Sequence, residues 1–412
     1  MEQNDIIPHL FRTEYAKMVG VLGKLFQIGH IEVAEDIVSE TFLLASESWS
    51  LKGLPENPAA WLYTVAKNKT KDYLKRNAIF ANSVAKQLRS NANISDEMEI
   101  DFSVANIIDS QLAMMFVVCH PCNTPEAQVG LALNLLCGFS AEEIASAFLT
   151  NKKTIYKRLQ RAKQKLKTGN IAIRHPGGDE IEERLSAVAT VLYLLYNEGY
   201  YSVGQDSVLR REFCFEAMRL THLLIESEKT DLPFINALFS LMCFQASRFD
   251  ARMDKNGAVV LYQDQDTGLW DRDLITKGKY YLNRSSSGET VSKFHLEAGI
   301  AYWHANAIDT QEKWENILQL YNQLLILEYS PVAALNRTYA LAKANGKAVA
   351  IIEAEKINLT GNYLYHALLG DLYMETDSHM ALTHLEKALG LVKSEADILL
   401  IKQKISQCTL AG

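Results

Sequence analysis

A chain of 412 residues is too long for one ordinary domain and predicts two to four. Its 48% hydrophobic and 22% charged residues exclude a disordered chain, and 21 Gly with 8 Pro leave so few helix breakers that an all-α fold is expected. The net charge of −7 argues against attraction of the whole chain to nucleic acid, but residues 1–170 hold 19 basic and 18 acidic residues against 23 and 31 in the remainder.

No apolar run approaches the ~20 residues that span a bilayer. The N-terminus carries Glu2 and Asp5 and has no apolar signal core, so no membrane contact and a cytoplasmic location are expected. The six cysteines (119, 122, 137, 214, 243 and 408) are scattered, which fits a reducing compartment rather than a disulfide framework.

In chain order, residues 1–78 predict a first helical unit. Phe11, Tyr15, Met18, Val19, Leu22 and Phe26 recur at helical spacing, and so do Ile31, Val33, Ile37, Val38, Phe42 and Leu43. A loop, Leu51–Pro58, precedes a third helix at about Ala59–Arg76. Lys67, Lys71 and Lys75 follow one another there at i, i+4 and i+8, beside Asn68 and Asp72, while Trp61, Leu62, Val65 and Tyr73 can pack inward. Such a face offers cations to phosphates and an amide and a carboxylate to base edges; a solvated amphipathic helix is the plain alternative. Residues 79–104 are polar and read as a linker.

Residues 105–170 predict a second helical unit. Ser140 and Glu143 form a capping-box start for a helix from Ala141 to Phe148, and Leu149–Asn151 form a turn. The helix from Lys152 to Lys167 carries eight basic residues and no acidic one, the pattern of a helix-turn-helix. After His175–Gly178, residues 180–412 read as an acidic helical extension interrupted at Asn256–Gly268. Leu335 and Tyr339 are matched by Leu369 and Tyr373, and Ala348 and Ile352 by Ala381 and Leu385 one residue short of the same offset of 34. That period suggests tetratricopeptide-like hairpins at about 330–393, against an unrelated helical bundle.

Three blocks together resemble the extracytoplasmic-function sigma factors of the sigma-70 family. Ala34–Phe42 is similar to their polymerase-binding helix. Trp61-Leu62-Tyr63 with Val65, Ala66 and Asn68 is similar to their promoter-melting helix. Phe139–Ala145 with Thr154–Ala162 is similar to the paired helices of region four. Asn197–Tyr200, Asp264–Asp266 with Leu269–Arg272, and Ser330–Arg337 resemble the group that adds a helical, tetratricopeptide-containing extension.

The resemblance implies a non-enzymatic initiation factor without cofactor or metal, whose partners are promoter DNA and core RNA polymerase (the β′ clamp helices and the β flap). Asp36, Glu40 and Phe42 would dock on the clamp helices. Trp61, Lys67, Asn68, Lys71, Asp72, Lys75 and Arg76 would meet the −10 element. Lys153, Thr154, Tyr156, Lys157, Arg158 and Arg161 would meet the −35 element. The extension would serve a protein partner or regulation.

Two rivals remain at this level. One is a conventional helix-turn-helix regulator with a tetratricopeptide sensor, which leaves 34–42 and 59–76 unexplained. The other is an enzyme with its site at Asp264–Asp273. Asp271 and Asp273 beside Trp270 and Arg272 instead predict a buried ion-pair and cap cluster. Asp264-x-Asp266-x-Gly268 fails as a calcium loop because Ile275 stands where Glu is needed. Cys119-His120-Pro121-Cys122 has no second metal-binding pair at zinc-site distance and reads as a packed helix end.

Overall fold

A computed structural model describes residues 6–85, 100–148, 150–178, 180–200, 207–253, 260–393 and 395–411, with the backbone alone at 78–85, 207–210, 395–396 and 410–411. Among the described residues the fold is all-α, without a strand, and no helix is long and apolar enough to cross a membrane. The chain divides into two compact units, Met1–Leu224 and Ile225–Gly412.

The first unit contains α1 (Ile6–Phe26), α2 (Ile31–Lys52), α3 (Pro58–Ala85), α4 (Val104–Val118), α5 (Pro125–Leu131), α6 (Ala141–Ala147), α7 (Lys152–Thr168), α8 (Ile181–Tyr200) and α9 (Ser207–Ile225). Helix α3 passes the expected end at Arg76 by nine residues, because 77–85 contain neither Gly nor Pro to stop it. Of the expected linker 79–104, residues 86–99 lie outside the described residues, and Ile100–Ser103 lead into α4. Ser103 caps that helix by accepting from the Asn106 backbone N–H.

Helix α4 organises this unit. It is buried without a break from Ser110 to Cys119, as expected of a helix that is apolar on every face. It packs on α1, on α8 and on the single π-helical turn Ala132–Leu136 that continues α5. Glycines let α1 come close: a Cβ on Gly23 would lie 2.7 Å from Met114 Cε and 2.9 Å from Ile31 Cδ1. The two N-terminal helical segments therefore share one core across α1 and α4, and α8 belongs to the same core.

Helices α6 and α7 form where their caps predict. Ser140 Oγ accepts from the Glu143 N–H at 3.2 Å while Glu143 Oε2 accepts from the Ser140 N–H at 2.8 Å. Asn151 Oδ1 accepts from the Thr154 N–H at 2.8 Å and starts α7. Leu149, in the expected turn, lies outside the described residues.

The second unit comprises α10 (Pro233–Ala246), α11 (Arg272–Ser285), α12 (Lys293–His304), α13 (Gln311–Leu327), α14 (Pro331–Asn345), α15 (Lys347–Ile357), α16 (Tyr363–Tyr373), α17 (Ser378–Leu391) and α18 (Glu395–Ala411). Consecutive helices pack on one another from α12 to α18, joined by short turns, around Trp314, Ile317, Leu335, Leu341, Tyr365 and Leu369. The repeat holds in the first helices, where Leu335 and Leu369 are both buried, but not at Ala348 and Ile352, which are exposed. Ala350 and Ala354 instead take, counted from the start of α15, the places of Ala381 and Leu385 in α17. Of the expected interruption Asn256–Gly268, residues 256–259 lie outside the described residues and the rest forms two short 3₁₀ turns. Asp271 caps α11, accepting from the Asp273 and Leu274 N–H groups at 2.9 Å, but Asp271, Arg272 and Asp273 are exposed, so the cap is not a buried ion-pair cluster.

Candidate polymerase and nucleic-acid interface

Three faces of the first unit carry the residues singled out above. On α2, Asp36 and Glu40 are exposed, and Glu40 accepts from Lys69 Nζ at 2.8 Å. Phe42 is not on this face: it is 5% exposed and meets the Phe11 ring edge-on at 5.0 Å. A helix turns about 100° per residue, so residue 42 sits about 240° from Asp36, whereas residue 43 returns to within about 20° of it. Leu43, 61% exposed, and Leu44, 40% exposed, complete the surface that Asp36 and Glu40 begin. Sequence reasoning missed these two leucines, although their helical angle was the available signal.

Buried and exposed positions of α2 are expected to respond differently to substitution. Phe42→Ala is expected to cost about 3–5 kcal/mol, seen as a lowered Tm, because it opens a cavity against Phe11. Leu44→Glu is expected to leave Tm within the ±0.5 kcal/mol band of surface changes. An unchanged Tm for Phe42→Ala would show that Phe42 is not part of this core.

On α3, Asn68, Lys71, Asp72, Lys75 and Arg76 are exposed, and Lys67 is half-buried. Trp61 is also half-buried, edge-on to Trp49 at 5.3 Å. Tyr63, one turn before Lys67, donates to Glu14 of α1 and stacks on Phe102 with centroids 4.9 Å apart and planes 4° from parallel. Lys67 Nζ lies 5.9 Å from the same Phe102 ring. The chain entering α4 therefore covers the first turns of the basic face. Phe102 had no signal in the sequence, since it follows a polar stretch and belongs to no periodic pattern.

On α7, Ile155, Leu159, Ala162 and Leu166 face the core, which turns Lys153, Thr154, Tyr156, Lys157, Arg158 and Arg161 outward. The Thr154 hydroxyl is engaged by its cap, donating to Asn151 Oδ1 at 2.9 Å. Lys157, Arg158, Arg161 and Lys165 line one concavity of about 350 Å³ with Asn123 and Thr124. Four cations around one hollow present phosphate-binding charge, and the two guanidinium groups add forked donors suited to guanine edges. Asn123 and Thr124 were not foreseen, because they come from the segment before α5, whereas Lys165 belongs to the basic stripe of α7. Lys163 and Lys167 turn the other way: Lys163 Nζ lies 2.6 Å from Glu35 and Lys167 Nζ 3.7 Å from Glu32, both on α2.

Among the described residues no three potential ligands converge, and Cys119 is buried with its thiol pushed up to about 12 by burial.

Residues 10–79, which hold most of α1, all of α2 and most of α3, match the family model described as Sigma-70 region 2. Residues 184–286 match a family of unknown function (DUF6596). The chain is 32% identical over 392 residues to an uncharacterized protein of Rhizobium meliloti (strain 1021), covering 94% of this chain and 92% of that one. No solved structure matches it.

Proposed function

We propose that the chain, whose residues 10–79 match Sigma-70 region 2, is a sigma factor of the extracytoplasmic-function type that binds RNA polymerase and recognises promoters. In this reading α2 docks on the β′ clamp helices through Asp36, Glu40, Leu43 and Leu44, with Phe42 supporting them from beneath. Helix α3 tracks the opened strand of the −10 element with Lys67, Lys71, Lys75 and Arg76. Asn68 and Asp72 read the edge of an extruded base, and Trp61 backs them. Extruding a base costs a few kcal/mol, which a basic track and a preformed pocket can offset.

Helices α6 and α7 act as a region 4 helix-turn-helix held by the β flap. Arg158 and Arg161 read the −35 element, Lys153, Thr154, Tyr156 and Lys157 contact it beside them, and Lys165 grips phosphate. The observation that carries the reading is the presence, in one unit whose residues 10–79 match region 2, of an acidic and leucine-bearing helix face beside two basic ones. A conventional regulator would leave the first of these without a role. The protein catalyses nothing itself; it lends the polymerase sequence recognition and strand opening in the cytoplasm.

The second unit is a tetratricopeptide-like stack that takes a protein partner. Ile326, Leu327, Tyr329 and Val332, all exposed around the turn from α13 to α14, support a protein-binding role. The reading is tested by gel filtration with purified bacterial core polymerase. The full chain is expected to co-elute with core and Leu44→Glu to elute apart. A full chain that never co-elutes would overturn it.

A further inference from the structure

Lys313, in the second unit, combines three features that a purely structural lysine avoids. It is 1% exposed. It sits in the first turn of α13, where its backbone N–H donates to the capping Thr310 hydroxyl at 3.2 Å, and that end of a helix favours negative charge. Buried charges are ordinarily paired, yet among the described residues no carboxylate forms an ion pair with it. Its Nζ donates to the Tyr262 hydroxyl at 2.8 Å and to the Asn306 carbonyl at 2.7 Å, both neutral acceptors. The Asp309 carboxylate accepts from the Trp314 indole N–H instead. Burial pushes the Lys313 ammonium below its ordinary range; Asp309 opposes this and Arg248 adds to it.

A second cation and four rings surround the same place. Arg248, just past α10, holds its guanidinium carbon 5.3 Å from the centre of the Tyr262 ring. That ring lies 4.9 Å from His304 and 6.4 Å from Trp270, and His304 lies 5.8 Å from Trp314. Burial pushes the Tyr262 phenol up to about 12, so it keeps its proton and donates it to the His304 carbonyl at 3.0 Å. It cannot supply the missing negative charge. His304 is lowered to about 3, by burial first and then by Arg248 and Lys313, so its ring is neutral at ordinary pH. Its Nδ1 and the Trp270 indole N–H are buried without a hydrogen-bond partner, whereas buried polar atoms are nearly always paired. Arg248, Tyr262 and His304 are only half-buried, so the cluster reaches the surface of the unit.

We propose that Arg248, Tyr262, Trp270, His304, Lys313 and Trp314 form a binding site for a small carboxylic acid with an aromatic body. The carboxylate supplies the negative charge that Lys313 lacks, and the Arg248 guanidinium offers it forked donors. The rings receive the body of the ligand by stacking. Inorganic phosphate would carry the charge but leave the rings unused. The site lies wholly in the second unit and stands whether or not the first unit reads promoters. It gives the extension a small-molecule input.

Calorimetric titration of the full chain with sodium benzoate, at constant ionic strength, is the test. One saturable site is expected, weakened about tenfold or more by Lys313→Met and by Arg248→Gln. Acetate, which lacks the ring, and inorganic phosphate should each bind at least about tenfold more weakly than benzoate. Without ligand, Lys313→Met should melt no lower than the unsubstituted chain, because it removes an uncompensated buried charge.

Absence of saturable benzoate binding would overturn the proposal, as would binding that both variants leave unchanged or that phosphate matches. A lowered Tm for Lys313→Met, together with an unsubstituted chain that ignores benzoate, would identify Lys313 as a structural donor to Tyr262 and Asn306. If Lys313→Met fails to fold, the Arg248→Gln titration decides.

Discussion

A chain ending at Lys167 is expected to show no cooperative unfolding transition, whereas one ending at Leu224 should melt as a single unit. A cut after the recognition helix looks natural in the sequence, because the basic character stops there. The cut strips α8 and α9 from a core they share with α4 and α5. It exposes Phe139, which is fully buried against Phe213, and removes the guanidinium donors from the Phe116 and Leu136 carbonyls. Helix α8 alone contributes Leu185, Val188, Val191, Leu192, Leu195 and Tyr196 to the buried interior.

At about 1.5–3 kcal/mol for each large apolar side chain buried, the loss matches or exceeds the ~5–15 kcal/mol by which a whole domain is stable. Circular dichroism during heating checks this. A cooperative melt of the shorter chain within a few degrees of the longer one would show that α8 and α9 are only appended to this core.

Arg158→Ala and Arg161→Ala are each expected to lower transcription from promoters selected with the unsubstituted chain by roughly ten- to a hundredfold. The estimate follows from about 1–3 kcal/mol for a bidentate arginine–guanine contact. Lysine should not rescue either position, because it lacks the planar fork. Lys165→Gln should act differently, weakening binding to all sequences and reducing the magnitude of the salt slope by about one. Lys163→Gln should not weaken DNA binding, since Lys163 faces Glu35 rather than the concavity. Full activity of Arg158→Ala and Arg161→Ala together would remove α7 from promoter reading.

What was legible in the sequence was whatever depends on local periodicity. The Ser140–Glu143 capping box, the start of α7 at Lys152 and the inward stripe Ile155, Leu159, Ala162 and Leu166 follow from spacing alone. Phe42 lies within the family-like pattern along the chain, but its angle around the helix turns it inward onto Phe11. The second helices of the repeat were misaligned because periodic similarity was followed in numbering, whereas burial follows the start of each helix. The membership of α8 and α9 in the first unit could not be read, since it depends on arginines reaching carbonyl groups 68 and 83 residues away. Phe102 was hidden for the same reason: its partner Tyr63 is remote in sequence.

Run-off transcription with purified bacterial core polymerase, on fragments of the protein's own genome, decides whether this chain confers promoter recognition on RNA polymerase. Discrete transcripts are expected with the full chain, with their loss when Arg158→Ala and Arg161→Ala are combined and none from core alone. A full chain that binds core yet yields no specific start on any fragment would contradict that role.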